Sequence, residues 1–332
     1  VKHSDRARFA GSFVAAPAAL ASLAAIIALA APPTRGAEWD GEPWADYTDF
    51  LSVITPAVEA NVKAIAMAGH ARGRELGRMG QIGDSITESA AFFRNVLLYG
   101  PSGNATGHDY EPVCSWLAYG GAQPADSNSF YADHGKGAAY GNLGGWTLGG
   151  AASAGHPTAC VEVGDGVTPG NFSWALVMFG TNDIDDGGWE SSVWKVAYKD
   201  FVEELVDLGV VPVLSTIPPE QAHVGDGRVE EANARVVEIA DELAVPYVDF
   251  CALILHYQPG TWLGTLISAD GTHPSAGGGG QDFSENGLTT TDGYAARTKL
   301  ALDVAERLEE IFSEALGVEK ASWGRLKGRY RK

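Results

Sequence analysis

Five apolar residues in a row, Ala175-Leu176-Val177-Met178-Phe179, run straight into Gly180-Thr181-Asn182-Asp183. A short continuous run without polar alternation, stopped by a glycine, is the pattern of a strand buried on both faces. Such a strand needs cover above and below, and helices supply it when the strands lie parallel. The neighbouring sequence offers those helices. Residues 190–208 carry Val193, Ala197, Phe201, Leu205 and Leu208 at helical spacing. Residues 210–217 then read as a strand. Val229, Asn233, Val236, Ala240 and Leu243 mark the next helix, and residues 246–250 the next strand. Upstream, residues 52–69 read as a helix with Pro56 near its start. Downstream, Leu300, Val304, Leu308, Ile311 and Phe312 give one apolar face to a closing helix that begins near residue 291. The predicted fold is α/β: a three-layer α/β/α sandwich with a central parallel sheet. Ligands on such sheets bind beyond the carboxyl ends of the strands.

Four polar blocks fall where that rule places chemistry. Gly83-Asp84-Ser85-Ile86-Thr87 follows the strand-like run Met79 to Ile82 and opens what reads as a helix over residues 88–98. A serine at a helix N-terminus meets unpaired backbone N–H groups and the positive end of the dipole. Its hydroxyl still needs a base within reach, and the base needs an orienting group. Asp270-Gly271-Thr272-His273-Pro274 offers both on one loop. The glycine cluster Gly144-Gly145-Trp146-Thr147 and the Asn182 amide are hydrogen-bond donors of the kind an oxyanion requires.

Taken in order, these blocks resemble the SGNH (GDSL-type) esterase/lipase family over roughly residues 77–316. The resemblance implies Ser85 as nucleophile, His273 as base and Asp270 as the residue that orients it. It implies an oxyanion hole from Ser85, Asn182 and a glycine, with Gly145 the best fit and Gly144 and Gly149 as alternatives. Asp84 and Trp146 are read as substrate-binding. Ester hydrolysis of this kind needs no cofactor and no metal, and none is expected. The partner is a small-molecule or oligosaccharide ester, and the protein is expected to act as a monomer. Trp146, Trp189, Trp194 and Trp262 lie near the blocks in sequence and could stack on sugar or equally pack in the core, the core being the reading for Trp194 on its amphipathic helix; the sugar reading favours O-acetyl or other short acyl groups on carbohydrate. A short-chain lipase or lysophospholipase, and a non-catalytic carbohydrate-binding module on the same fold, are the alternatives.

A net charge of −19 argues against nucleic acid and against anionic membrane surfaces as partners. Lys2, Arg6 and Arg8 precede an alanine-rich apolar run over residues 13–31, with small-residue cleavage candidates at 28–30 and 35–37. That is the pattern of a secretory signal peptide over residues 1–37, so a secreted protein, extracellular or periplasmic, is expected. A single membrane anchor is the alternative. Residues 38–317 then form one domain, with insertions near 99–144 and 275–290, the second read as a glycine-rich flap. A basic tail occupies 318–332. Cys114 and Cys160 are expected to form a disulfide, leaving Cys251 buried behind a strand. The stretch Asp183-Ile184-Asp185-Asp186-Gly187 looks like the start of a calcium loop, but Trp194 stands where the bidentate glutamate belongs.

Overall fold

The computed structural model describes residues 43–119, 137–163 and 170–317. The expected signal peptide, the basic tail and the middle of the first insertion lie outside the described residues. Helix α1 (Pro56–Ala71) starts at a Thr55 cap whose side chain accepts from the Val58 N–H, with Pro56 in the first turn where no N–H is missed. Strand β1 (Glu75–Gly83) leads into α2 (Ser85–Glu88). Helices α3 (Arg94–Tyr99), α4 (Glu111–Tyr119) and α5 (Leu148–Ser153) lie between β1 and β2 (Phe172–Met178). Then come α6 (Thr181–Ile184), α7 (Ser191–Asp207), β3 (Val211–Ser215), α8 (Arg228–Leu243), β4 (Tyr247–Val248), α9 (Phe250–Tyr257) and α10 (Gly293–Leu316).

The four strands are parallel and lie in the order β1-β2-β3-β4. The apolar run is the interior strand: Leu176 sits between Gln81 and Val213, and every residue of β2 is buried. Helices α7 and α8, which connect β2 to β3 and β3 to β4, pack on each other and on β3. Helices α1 and α10 pack together, with α1 against β2 and β3 and α10 against β4. The three-layer expectation holds. Among the described residues no helix is long and apolar enough to cross a membrane.

At three places a side chain outranks the periodicity of the sequence. In α7 the buried residues are Trp194, Tyr198, Phe201, Val202 and Leu205, and Val193 is 61% exposed. Aromatic bulk turned the first turns of the helix away from the valine face. The helix expected over 88–98 is broken at Phe93, which takes a positive φ of 66° while its N–H donates to Thr298 Oγ1. The strand expected over 246–250 keeps only Tyr247 and Val248, because Asp249 caps α9 by accepting from the Ala252 N–H.

The two insertions pair with each other. The Ser102 N–H donates to the Gln281 carbonyl and the Phe283 N–H to the Ser102 carbonyl, each at 2.8 Å. The glycine run is tied down rather than free as a flap. Asp292 Oδ2 accepts from the N–H groups of Gly278 (2.9 Å) and Gly280 (3.0 Å). Asn95 donates to the Gly279 carbonyl.

The expected Cys114–Cys160 disulfide is not formed, and all three cysteines are free thiols. Neither residue lies in an open loop. Cys114 sits within α4, and burial pushes its thiol up to about 12. Cys160 sits in a π-helical turn before β2, fully buried, donating its thiol proton to the Pro157 carbonyl.

Candidate active site

At the carboxyl end of β1 the chain turns sharply against β2 into α2. Gly83 has φ +155°, and a Cβ there would stand 2.3 Å from the Met178 carbonyl oxygen and 2.7 Å from Thr87 Oγ1. No other residue fits, and the turn delivers Ser85 to the first position of α2. There its N–H is one that a helix leaves unpaired. Arg297, on α10, holds this turn from beneath. Its guanidinium donates to the Ile86 carbonyl and to Thr87 Oγ1, both at 3.1 Å, and lies 4.0 Å from the Phe92 ring centroid. Burial brings its pKa down to about 10, so it stays charged at neutral pH.

His273 reaches Ser85 from the loop between α9 and α10. Its Nε2 is 2.8 Å from Ser85 Oγ, and its Nδ1 is 2.8 Å from Asp270 Oδ2. The loop builds this geometry itself: Asp270 Oδ1 accepts from the N–H groups of Thr272 and His273, each at 3.0 Å. Asp270 is therefore turned toward the ring before any ligand arrives. Partial burial would raise its pKa, but the hydrogen bonds from Thr272, His273 and Ser268 outweigh it and hold the carboxyl well below the usual carboxylate range. The structure thus brings Ser85, His273 and Asp270 together.

The residues expected to form an oxyanion hole lie near them. Asn182 lies on α6, one turn past β2, and its Nδ2 is 3.0 Å from the Trp146 carbonyl and 3.4 Å from Asp84 Oδ2. The second is a long contact that a better acceptor can replace. Among the glycines, the Gly144 N–H is already donated to Glu88 Oε2 at 2.6 Å. Gly145 is exposed next to it, and Gly149 falls within α5. Trp146 is half-buried with its ring 5.1 Å from that of His156.

Asp84 does not sit where a substrate could touch it. It has no exposed surface; Oδ1 accepts from the Ile86 N–H at 3.0 Å, and Oδ2 accepts from Thr181 Oγ1. The physical reason is the cap: a carboxylate before a short helix pairs with that helix, and here it also ties α2 to α6. Burial raises its pKa against these bonds. Three positioning groups escaped the sequence reading. Glu88 pins Gly144, Asp183 Oδ1 accepts from the Leu148 N–H at 2.9 Å, and Arg297 supports the turn. Of these only Arg297 left a sequence signal: a cation on the apolar stripe of Leu300 and Val304.

The profile of the GDSL-like lipase/acylhydrolase family matches residues 81–279, more than half of the chain. The chain belongs to the GDSL-like lipase/acylhydrolase family. The matched span contains Ser85, Gly145, Asn182, Asp270 and His273. No curated protein sequence matches the chain. Several solved structures resemble this GDSL-like hydrolase at low identity. A carbohydrate esterase family 3 protein from Talaromyces cellulolyticus is 16% identical, with 71% of this chain and 98% of that one covered at a TM-score of 0.43. A GDSL-like lipase from Bacteroides thetaiotaomicron is 16% identical, with 76% and 98% covered at 0.40. A catalytic mutant of an acetylxylan esterase from Geobacillus stearothermophilus is 15% identical, with 73% and 95% covered at 0.39.

Proposed function

We propose that the protein is a secreted serine esterase that removes O-acetyl or other short acyl groups from carbohydrate. The observation that carries the reaction type is the unbroken relay from Ser85 Oγ through His273 to Asp270, with both links at 2.8 Å. His273 Nε2 accepts the Ser85 proton as Oγ attacks the ester carbonyl, and Asp270 stabilises the imidazolium through Nδ1–H. The N–H groups of Ser85 and Gly145 and the Asn182 amide receive the oxyanion. For Asn182 this means exchanging its long contact to Asp84 for a short one to a charged oxygen. As the tetrahedral intermediate collapses, His273 returns its proton to the departing alcohol and the acyl group stays on Ser85. Water then attacks by the same route in reverse and releases the acid.

The half-buried Trp146 beside Asn182 and the half-buried Trp262, next to the His273 loop, support carbohydrate as the alcohol part. The basic head and apolar run before residue 38 support export. A hydrolysis screen decides the substrate. It should set acetylated xylo- and gluco-oligosaccharides against p-nitrophenyl esters of rising chain length. Acetyl esters of sugars should give the highest kcat/KM; a maximum at long acyl chains would contradict the carbohydrate reading and leave the relay intact.

A further inference from the structure

Beyond the Asn182 block the chain places a second polar cluster that the reaction does not use. Asp185, Glu220 and His223 each offer one ligating atom, and the three atoms lie within 4.8 Å of one another. His223 Nε2 is 2.9 Å from Asp185 Oδ1, and its Nδ1 is 2.8 Å from Asp226 Oδ2. Glu220 is only 3% exposed, and its Oε1 is buried with no hydrogen-bond partner. Arg228 does not serve it: that guanidinium goes to Asp226, at 3.8 Å, and to the Ile184 carbonyl. A buried carboxylate oxygen with nothing to accept from is costly. Burial, with Asp185 and Asp84 nearby, pushes Glu220 up to about 8.

We propose that Asp185, Glu220 and His223 form a binding site for one divalent transition-metal ion of the zinc or manganese class. Two carboxylates and an imidazole are the donor set such ions take, whereas calcium and magnesium prefer oxygen alone. Asp226 completes the arrangement from behind: accepting from Nδ1–H, it fixes the tautomer in which Nε2 carries a lone pair for the ion. In a tetrahedral zinc site, ligands about 2.1 Å from the metal stand roughly 3.4 Å apart, a separation inside the span these atoms already occupy. Asp185 is exposed, so the fourth position opens to water. The opposing reading needs no metal: an imidazolium held between Asp185 and Asp226, beside a protonated Glu220.

The ion would brace the two sides of the active site. Asp185 directly follows the helix that carries Asn182. Past Glu220, the Gln221 N–H donates to the Gly271 carbonyl at 2.9 Å. Gly271 lies so close that a Cβ there would meet Gln221 Cβ at 2.6 Å. One bound cation therefore ties the Asn182 segment to the segment packed against Asp270 and His273.

Binding can be read without reference to ester hydrolysis. Untagged full-length protein, stripped with a chelator, is titrated calorimetrically at neutral pH with zinc chloride and, separately, manganese chloride. The wild type should take up one equivalent of at least one of them, with a saturable rise in Tm. Glu220→Gln keeps the shape but cannot ionise to become an anionic ligand, and should weaken binding at least tenfold. Asp185→Asn, at an exposed position that folding tolerates, should do the same. Asp226→Asn should weaken it about 10–100-fold through the lost orientation of His223. Absence of stoichiometric uptake by the wild type overturns the site. So does affinity unchanged in both Glu220→Gln and Asp185→Asn.

Discussion

Two histidines in this molecule each stand three residues from an aspartate and bond to it through Nδ1 at 2.8 Å. His273 turns its other nitrogen to a hydroxyl, that of Ser85. His223 turns its other nitrogen to a second carboxylate, that of Asp185. The surroundings differ as sharply. The His273 side chain is 38% exposed at the end of the sheet, whereas that of His223 is 7% exposed, with Glu220 buried beside it. An aspartate–histidine pair is therefore not by itself a catalytic signature. The group on the far nitrogen distinguishes them: a hydroxyl suits the pair to act as a base, and carboxylates suit it to hold a cation.

The largest separation between the two should appear in turnover. His273→Gln should lower kcat by about 10⁴-fold or more, the scale of losing one member of such a relay. His223→Gln should lower metal affinity and Tm, with a loss of kcat at least about a hundredfold smaller than that of His273→Gln. Steady-state kinetics on p-nitrophenyl acetate with both purified variants measures this. Equal losses would mean that the two pairs are not distinct in role.

A smaller effect is expected at the donor side. Asn182→Ala should reduce kcat by about 10²–10³-fold with little change in KM, because the amide meets the oxyanion only in the transition state. A rise in KM at unchanged kcat would instead make Asn182 a substrate contact.

What the sequence disclosed follows the same division. Ser85, and Asp270 with His273, were legible because each group lies within one short turn, where the chain itself fixes the spacing. The second cluster was not, because Asp185 and His223 meet only after β3 brings the loop before α8 back to the end of β2. Within the sequence, Asp183 to Gly187 has no local partner that completes a cation loop. Asp84 was misread for the opposite reason: adjacency to Ser85 in sequence suggested the substrate, while the cap turns its carboxylate inward. The sheet was legible in β2, whose residues are buried on both faces, and least so in β4. There the stretch 246–250 divides among two strand residues, the Asp249 cap and the start of α9.

The smallest effect concerns acid. Asp270 is held below its ordinary pKa, so the stability it contributes is present above the unfolded value, near about 3.9, and is lost as pH falls through its lower native value. Between pH 5 and pH 2 the Tm difference between wild type and Asp270→Asn should therefore shrink. A gap that widens on acidification would contradict the hydrogen-bonding assigned to the 270–273 loop.

The central claim is that Ser85 carries the acyl group. Acid-quenching the enzyme during turnover of p-nitrophenyl acetate, followed by peptide mass mapping, tests it directly. The account predicts one acetyl group on the peptide containing Ser85, and neither adduct nor turnover in Ser85→Ala. Wild-type turnover by Ser85→Ala, or an adduct mapped to any other residue with Ser85 unmodified, would contradict it.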